Sequence, residues 1–280
     1  MSPHALRAGG VALGIVLGLL GARVADRLPS RYGITHLVTG AKRARRNAVV
    51  VVLVTLIGAA IGELVARAMT DVGLEPWHAS AILGVNLLVA SAVVAAAAID
   101  LEHMILPDEL TLGGALVCLL SSPIRNVGWR GALIGAAVGL AVAWVPFAIY
   151  KRLRGHSGMG LGDAKLAILA GAWFGPIGAV LVLFGGVALM PLAAFALRAA
   201  GAPYQVPESV QADIAELRAR AEAGDEEAAR ELEDDPMAAD VADGALSARM
   251  PLGPFLALAC LVLLFTRRYV EPWLLAWLSG

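Results

Sequence analysis

The chain reads as long apolar stretches separated by short polar ones. Apolar runs occupy residues 9–22, 48–69, 79–99, 110–124, 131–150, 164–175, 177–197 and 252–265. An upright helix needs roughly 20 apolar residues to cross a bilayer core. The shorter runs therefore borrow flanking residues or lie partly buried in protein, where their backbone groups are still satisfied. This pattern predicts an all-α polytopic integral membrane protein with about eight transmembrane helices, within bounds of seven to nine. One substantial polar segment, residues 201–249, interrupts it with 13 acids and 4 bases. A helical stretch is expected there over 213–233, with Glu216/Arg220 and Glu226/Arg230 at i,i+4 spacing. Its acidity suits either a solvated loop or a surface for a basic partner.

Composition narrows the class. Hydrophobic residues make up 59% of 280 positions and charged ones 16%, against roughly 25% charged in ordinary soluble domains. Disorder is excluded for the chain as a whole, and a net charge of −1 gives no support to nucleic-acid binding. Cys118 and Cys260 sit in apolar runs. With no CxxC, no HExxH and scattered histidines, no disulfide framework or metal site is indicated. Only Arg7 precedes the first span, whereas Arg23, Arg27, Arg31, Lys42, Arg43, Arg45 and Arg46 follow it. The first span is thus read as a membrane helix rather than a cleaved signal, with the N-terminus outside and residues 23–46 cytoplasmic. Counting alternately puts 100–109, 151–163 and 198–250 on that cytoplasmic side as well. Lys151, Arg152, Arg154 and Arg198 agree with this, while Arg125, Arg130, Arg267 and Arg268 fall on the opposite side.

Ionisable groups at membrane depth are expensive and point to function. Outside the acidic segment, Asp26, Asp71, Glu75 and Glu271 lie in connections, and Glu63 has Arg67 one turn away as a partner. What remains is a set at span ends: Asp100, Glu102, Asp108, Glu109 and Asp163. Asp100 ends the third span and Asp163 precedes the sixth, so both face the same side. Two carboxyls brought together at low dielectric share a proton, and one can then act as base on water while the other acts as acid. Such a pair needs neither a metal nor a nucleophilic Ser or Cys. Equally, each could cap a helix or reach for the interface. Gly158, Gly160 and Gly162 precede Asp163, and glycines there allow either close approach of a substrate backbone or a hinge. Pro107 followed by Asp108 and Glu109 is a helix start, and Lys165 is placed to neutralise a nearby carboxylate.

These motifs resemble those of the type IV leader peptidases, or prepilin peptidases, which are membrane aspartic proteases of the GxGD type. Asp100 to Thr111, with Leu106-Pro107-Asp108, is similar to the family's first motif. Gly158 to Leu166, continued by Gly171-Ala172-Trp173-Phe174-Gly175, is similar to the second, and Pro251-Leu252-Gly253-Pro254-Phe255 resembles the opening of the last span. The resemblance implies catalysis by Asp100 and Asp163. Gly158, Gly160, Gly162, Lys165, Pro107 and Asp108 would shape the site or bind substrate, with no metal and no cofactor for proteolysis. It implies cleavage of the basic leader of prepilins or type II secretion pseudopilins, at the cytoplasmic face of a bacterial inner membrane. Membrane lipid would be a further partner. Bifunctional members also methylate the product with S-adenosylmethionine, and Arg27-Leu28-Pro29 is similar to the start of their amino-terminal part. The CxxC pairs that usually follow are absent, so methyl transfer is expected to be weak or lost. Residues 1–78 then form amino-terminal spans with a basic loop, and 79–280 the peptidase domain carrying the acidic loop 201–249. The rival readings are another intramembrane GxGD protease and a non-enzymatic transporter with an acidic proton relay.

Overall fold

The computed structural model describes residues 2–125, 127–154, 161–202, 204–234 and 250–279. The chain is an all-α polytopic membrane protein. In order the helices are α1 (Pro3–Arg27), α2 (Gly40–Asp71), α3 (Pro76–His103), α4 (Asp108–Leu120), α5 (Gly128–Arg154), α6 (Leu161–Phe174), α7 (Pro176–Ala199), α8 (Glu208–Glu222), α9 (Glu226–Asp234) and α10 (Gly253–Ser279). Among the described residues, six helices are long and apolar enough to cross a membrane: α1, α2, α3, α5, α7 and α10. The other two apolar runs form α4, with 13 residues, and α6, with 14. At 1.5 Å per residue each is about 20 Å long, well short of a bilayer core. Helix α6 resolves this by burial: from Leu166 to Phe174 only Ile168 is not fully enclosed. Its indole Nε1 at Trp173 donates to Asn86 Oδ1 of α3 at 2.8 Å.

Small residues set which helices touch. A Cβ added at Gly14 or Gly18 of α1 would come within 2.9 Å of the Thr55 or Val51 Cα of α2. The Gly135 and Gly139 backbones of α5 likewise lie against Gly171 and Ala167 of α6. Without a hydrophobic drive between helices in lipid, backbone approach of this kind is what holds pairs together. Ser91 of α3 adds a cross-link, its hydroxyl donating to the Leu17 carbonyl of α1 at 3.0 Å.

Two expectations change. Arg125, counted as a misplaced loop charge, is buried, and its guanidinium donates to the carbonyls of Trp173 (2.6 Å), Ala172 (3.2 Å) and Cys118. It ties the C-terminal ends of α4 and α6, where free carbonyls and the negative pole of each helix favour a cation. The expected single helix at 213–233 is two, because Gly224 adopts φ +95° and breaks it. Arg220 binds Asp225 at 2.6 Å across that break, while Glu226 and Arg230 form the expected pair at 3.7 Å. Asp225 Oδ1 also caps α9 through the Glu227 and Ala228 amides.

Candidate active site

Asp100 lies in the last turn of α3 and Asp163 in the first turn of α6, and both are buried, at 4% and 9% exposure. They are close enough that the charge of Asp163 acts on Asp100. Helix α3 stops just beyond the first acid. Met104 takes a left-handed conformation, φ 55° and ψ 33°, and its N–H closes back on the Asp100 carbonyl at 3.0 Å. A non-glycine residue held there carries strain of about 1 kcal/mol or more. The reversal sends Ile105 and Leu106 back across the end of the bundle.

A third helix completes the site. Helix α10 begins at Gly253, whose N–H lacks an intrahelical partner, and Pro254 beside it has no N–H to offer. The Gly253 N–H donates to the Asp100 carboxyl. A Cβ at this position would collide with Asp100 Oδ2 and approach Leu106 Cδ1 to 3.0 Å. On the other side, a Cβ at Gly162 would meet Leu106 Cβ at 2.9 Å. Leu106 therefore sits between the glycine next to Asp163 and the glycine against Asp100. The N-termini of α6 and α10 both aim at the acidic pair, and the positive pole of each favours negative charge there.

The other residues singled out from sequence take definite places. Pro107 is the N-cap of α4, and helix α4 starts at Asp108 without a side-chain cap. Asp108 accepts a hydrogen bond from the Lys165 ammonium of α6. Its backbone N–H donates to the Tyr32 hydroxyl at 2.9 Å, and that hydroxyl donates to Glu109 at 2.7 Å. Asp108 and Lys165 thus latch α4 to α6 beside the acidic pair, with both side chains partly exposed. Gly158 and Gly160 lie outside the described residues. Among those described, no three His, Cys, Asp or Glu side chains converge as a metal site.

Around this centre runs a shell of ion pairs that elimination by charge did not reveal. Arg46 of α2 is nearly enclosed and bridges Asp26 of α1 to Glu102 of α3. Asp26 also accepts from Arg43 at 2.8 Å and Asn47 at 3.0 Å. The acidic segment joins the same end of the bundle: the Ser209 hydroxyl donates to the Glu102 carbonyl, and Lys42 meets Glu208 at 2.7 Å. His36 Nδ1 lies 2.9 Å from Asp213. The ends of α2, α3, α6, α8 and α10 therefore gather at one end of the bundle, the arrangement expected when all eight apolar runs, the half-length α4 and α6 included, are counted. Beside them an apolar groove of about 470 Å³ opens between α2, α3 and α10, lined by Val49, Leu53, Ala98, Leu101, Pro254 and Leu258 among others.

Residues 87–196 match the type IV leader peptidase family, and that segment contains both aspartates with Pro107, Asp108, Gly162 and Lys165. The chain is 44% identical over 93 residues to the prepilin leader peptidase/N-methyltransferase of Aeromonas hydrophila, covering 32% of this chain and 31% of that one. It is 39% identical over 127 residues to the protein of that name in Aeromonas salmonicida, covering 44% and 40%. For the one in Dichelobacter nodosus the identity is 30% over 128 residues, covering 45% of each. The chain thus spans less than half the length of these relatives. No solved structure matches.

Proposed function

We propose that this protein is a membrane aspartic endopeptidase that removes the leader from prepilins or pseudopilins. The observation that carries the reading is the convergence of two buried aspartates, from α3 and α6, in each other's field, within the segment that matches the leader peptidases. The pair holds one proton. The ionised carboxyl takes a proton from water, the water oxygen adds to the scissile carbonyl carbon, and the protonated carboxyl serves the leaving amine. The Gly253 N–H keeps Asp100 oriented, and Leu106 limits how much water reaches the pair. The groove between α2, α3 and α10 runs alongside the ends of α3 and α10, and its apolar walls suit a membrane-embedded segment of the substrate. In this reading the site faces the cytoplasm of a bacterial inner membrane, in keeping with the basic residues at that end of the bundle.

Methyl transfer is not part of the proposed activity. The amino-terminal residues 1–78 lie outside the matched segment. Their basic side chains Lys42, Arg43 and Arg46 are engaged by Glu208, Asp26 and Glu102, and Lys42 and Arg46 border the apolar groove. Proteolysis by the acidic pair requires no cofactor.

The test is cleavage of a purified prepilin by the full chain in bilayer nanodiscs. The wild type should release the leader, and Asp100→Asn and Asp163→Asn should each abolish release while inserting and folding normally. Wild-type turnover by either variant would end the assignment.

A further inference from the structure

The polar segment that follows α7 carries a group that the reaction above does not use. Helix α7 ends at Ala199, and Gly201, at φ +71°, turns the chain back over the end of the bundle. Residues beyond the turn are firmly seated. Val206 and Ile214 are buried, the buried Ser209 binds the Glu102 carbonyl, and Gln211 Nε2 donates back to the Val206 carbonyl at 2.7 Å. Lys42 and His36 hold Glu208 and Asp213 from the opposite side. Within this braced stretch the Tyr204 hydroxyl is buried and has no hydrogen-bond partner among the described residues. The charge of Asp100 acts on it.

A phenol hydroxyl buried without a partner is unfavourable, and protein interiors avoid it unless something else meets the group. Tyr204 combines that unmet hydrogen bond with a place in the segment that Ser209 fastens to the end of α3, two residues from Asp100 at Glu102, where the charge of Asp100 reaches it. Burial first, and the charge of Asp100 second, push its phenol up to about 12, so it stays protonated and remains a donor at any pH where the aspartate pair works. Asp100 already accepts from Gly253. The remaining acceptor that arrives at this place is the substrate.

We propose that Tyr204 is a catalytic residue of the site, donating its hydroxyl hydrogen to the carbonyl oxygen of the scissile peptide bond and making residues 201–222 a flap over the aspartate pair. This inference rests on the proposed peptidase function. When water adds, a C–O bond forms, one water proton passes to the ionised carboxyl, and the carbonyl oxygen gathers negative charge. The Tyr204 hydrogen bond strengthens at that moment without transferring its proton. Collapse breaks the C–N bond, and the amine departs with a proton from the pair. A donor aimed where charge develops in a water-poor site accelerates the chemical step more than it improves binding.

The experiment uses the full chain in nanodiscs with a purified prepilin. Tyr204→Phe keeps the ring and its packing and removes only the oxygen. It should lower kcat roughly tenfold or more, with KM within about twofold and thermal unfolding unchanged. Incorporating a ring-fluorinated tyrosine at position 204, a stronger donor that is still protonated at neutral pH, should retain or raise kcat relative to the wild type where Tyr204→Phe loses it, a contrast that a purely structural ring would not produce. An unimpaired Tyr204→Phe enzyme, or a fluorinated enzyme as slow as Tyr204→Phe, overturns the role of Tyr204 and leaves the peptidase reading standing. Failure of the wild type to cleave refutes the peptidase reading and this role with it.

Discussion

Adding one methyl group at Gly253 is the sharpest perturbation of this site. The Ala side chain would be built directly against Asp100 Oδ2 and 3.0 Å from Leu106 Cδ1, so one of the two must move. Leu106 is itself wedged against Gly162 on its other side, which leaves the Asp100 carboxyl as the group that yields. Overpacking of this kind costs about 1–3 kcal/mol. If the cost falls on the reactive position of Asp100, it corresponds to a loss of roughly 5- to 150-fold in kcat. The Gly253 N–H stays in place, so the loss arises from displacement and not from removal of a donor. Gly84 in the middle of α3 is the control, because a Cβ there meets nothing within 4 Å. Gly84→Ala should leave turnover unchanged and raise stability by about 0.5–1 kcal/mol through helix propensity. The assay is prepilin cleavage under single-turnover conditions, paired with thermal unfolding of the same preparation. Full turnover by Gly253→Ala would refute the packing argument, and so would a loss that merely tracks the unfolded fraction.

Three further outcomes are expected. Arg125→Met should lower stability by on the order of 3 kcal/mol, because three buried carbonyls at the ends of α4 and α6 lose their donor, while activity per folded molecule is retained; an unchanged unfolding midpoint would contradict this. Asp225 is held below the usual aspartate range first by the Ala228 amide and then by Arg220. Its contribution to the α8–α9 joint is therefore present above the unfolded-state value and lost only as pH falls through the lower folded value. The Glu227 and Ala228 amide resonances should shift below the ordinary aspartate range, and a midpoint at the ordinary value would count against the cap. Lastly, cysteines at exposed Val72, between α2 and α3, and at exposed Ala223, between α8 and α9, should react with an impermeant thiol reagent from opposite faces of the membrane. Labelling of both from one face would break the alternating order of spans.

Much of the architecture was legible along the chain because lipid enforces a simple rule. A run of about 20 apolar residues has few alternatives to a spanning helix, so α1, α2, α3, α5, α7 and α10 follow from hydropathy alone. The candidate pair was legible for a related reason: acids at the ends of apolar runs are scarce, and counting all eight runs puts Asp100 and Asp163 at one end before any coordinates exist. Hydropathy is silent about lateral neighbours, and those decide the rest. The half-length α6 is accommodated by its enclosure among longer helices, a property of its partners and not of the segment itself, whereas α4 keeps Leu112, Leu116 and Leu120 exposed. Arg125 looked like an orientation signal, yet it is an internal clasp, since only the fold reveals that the carbonyls of two helix ends meet it. Gly253 stands more than 150 positions from Asp100 in the chain, and nothing local marks its N–H as the partner of that carboxyl. Tyr204 lies in a segment whose acidity suggested solvation. It reaches the site because Val206, Ser209 and Ile214 dock onto the bundle, and pairwise docking of distant elements leaves no period or spacing in the sequence to read.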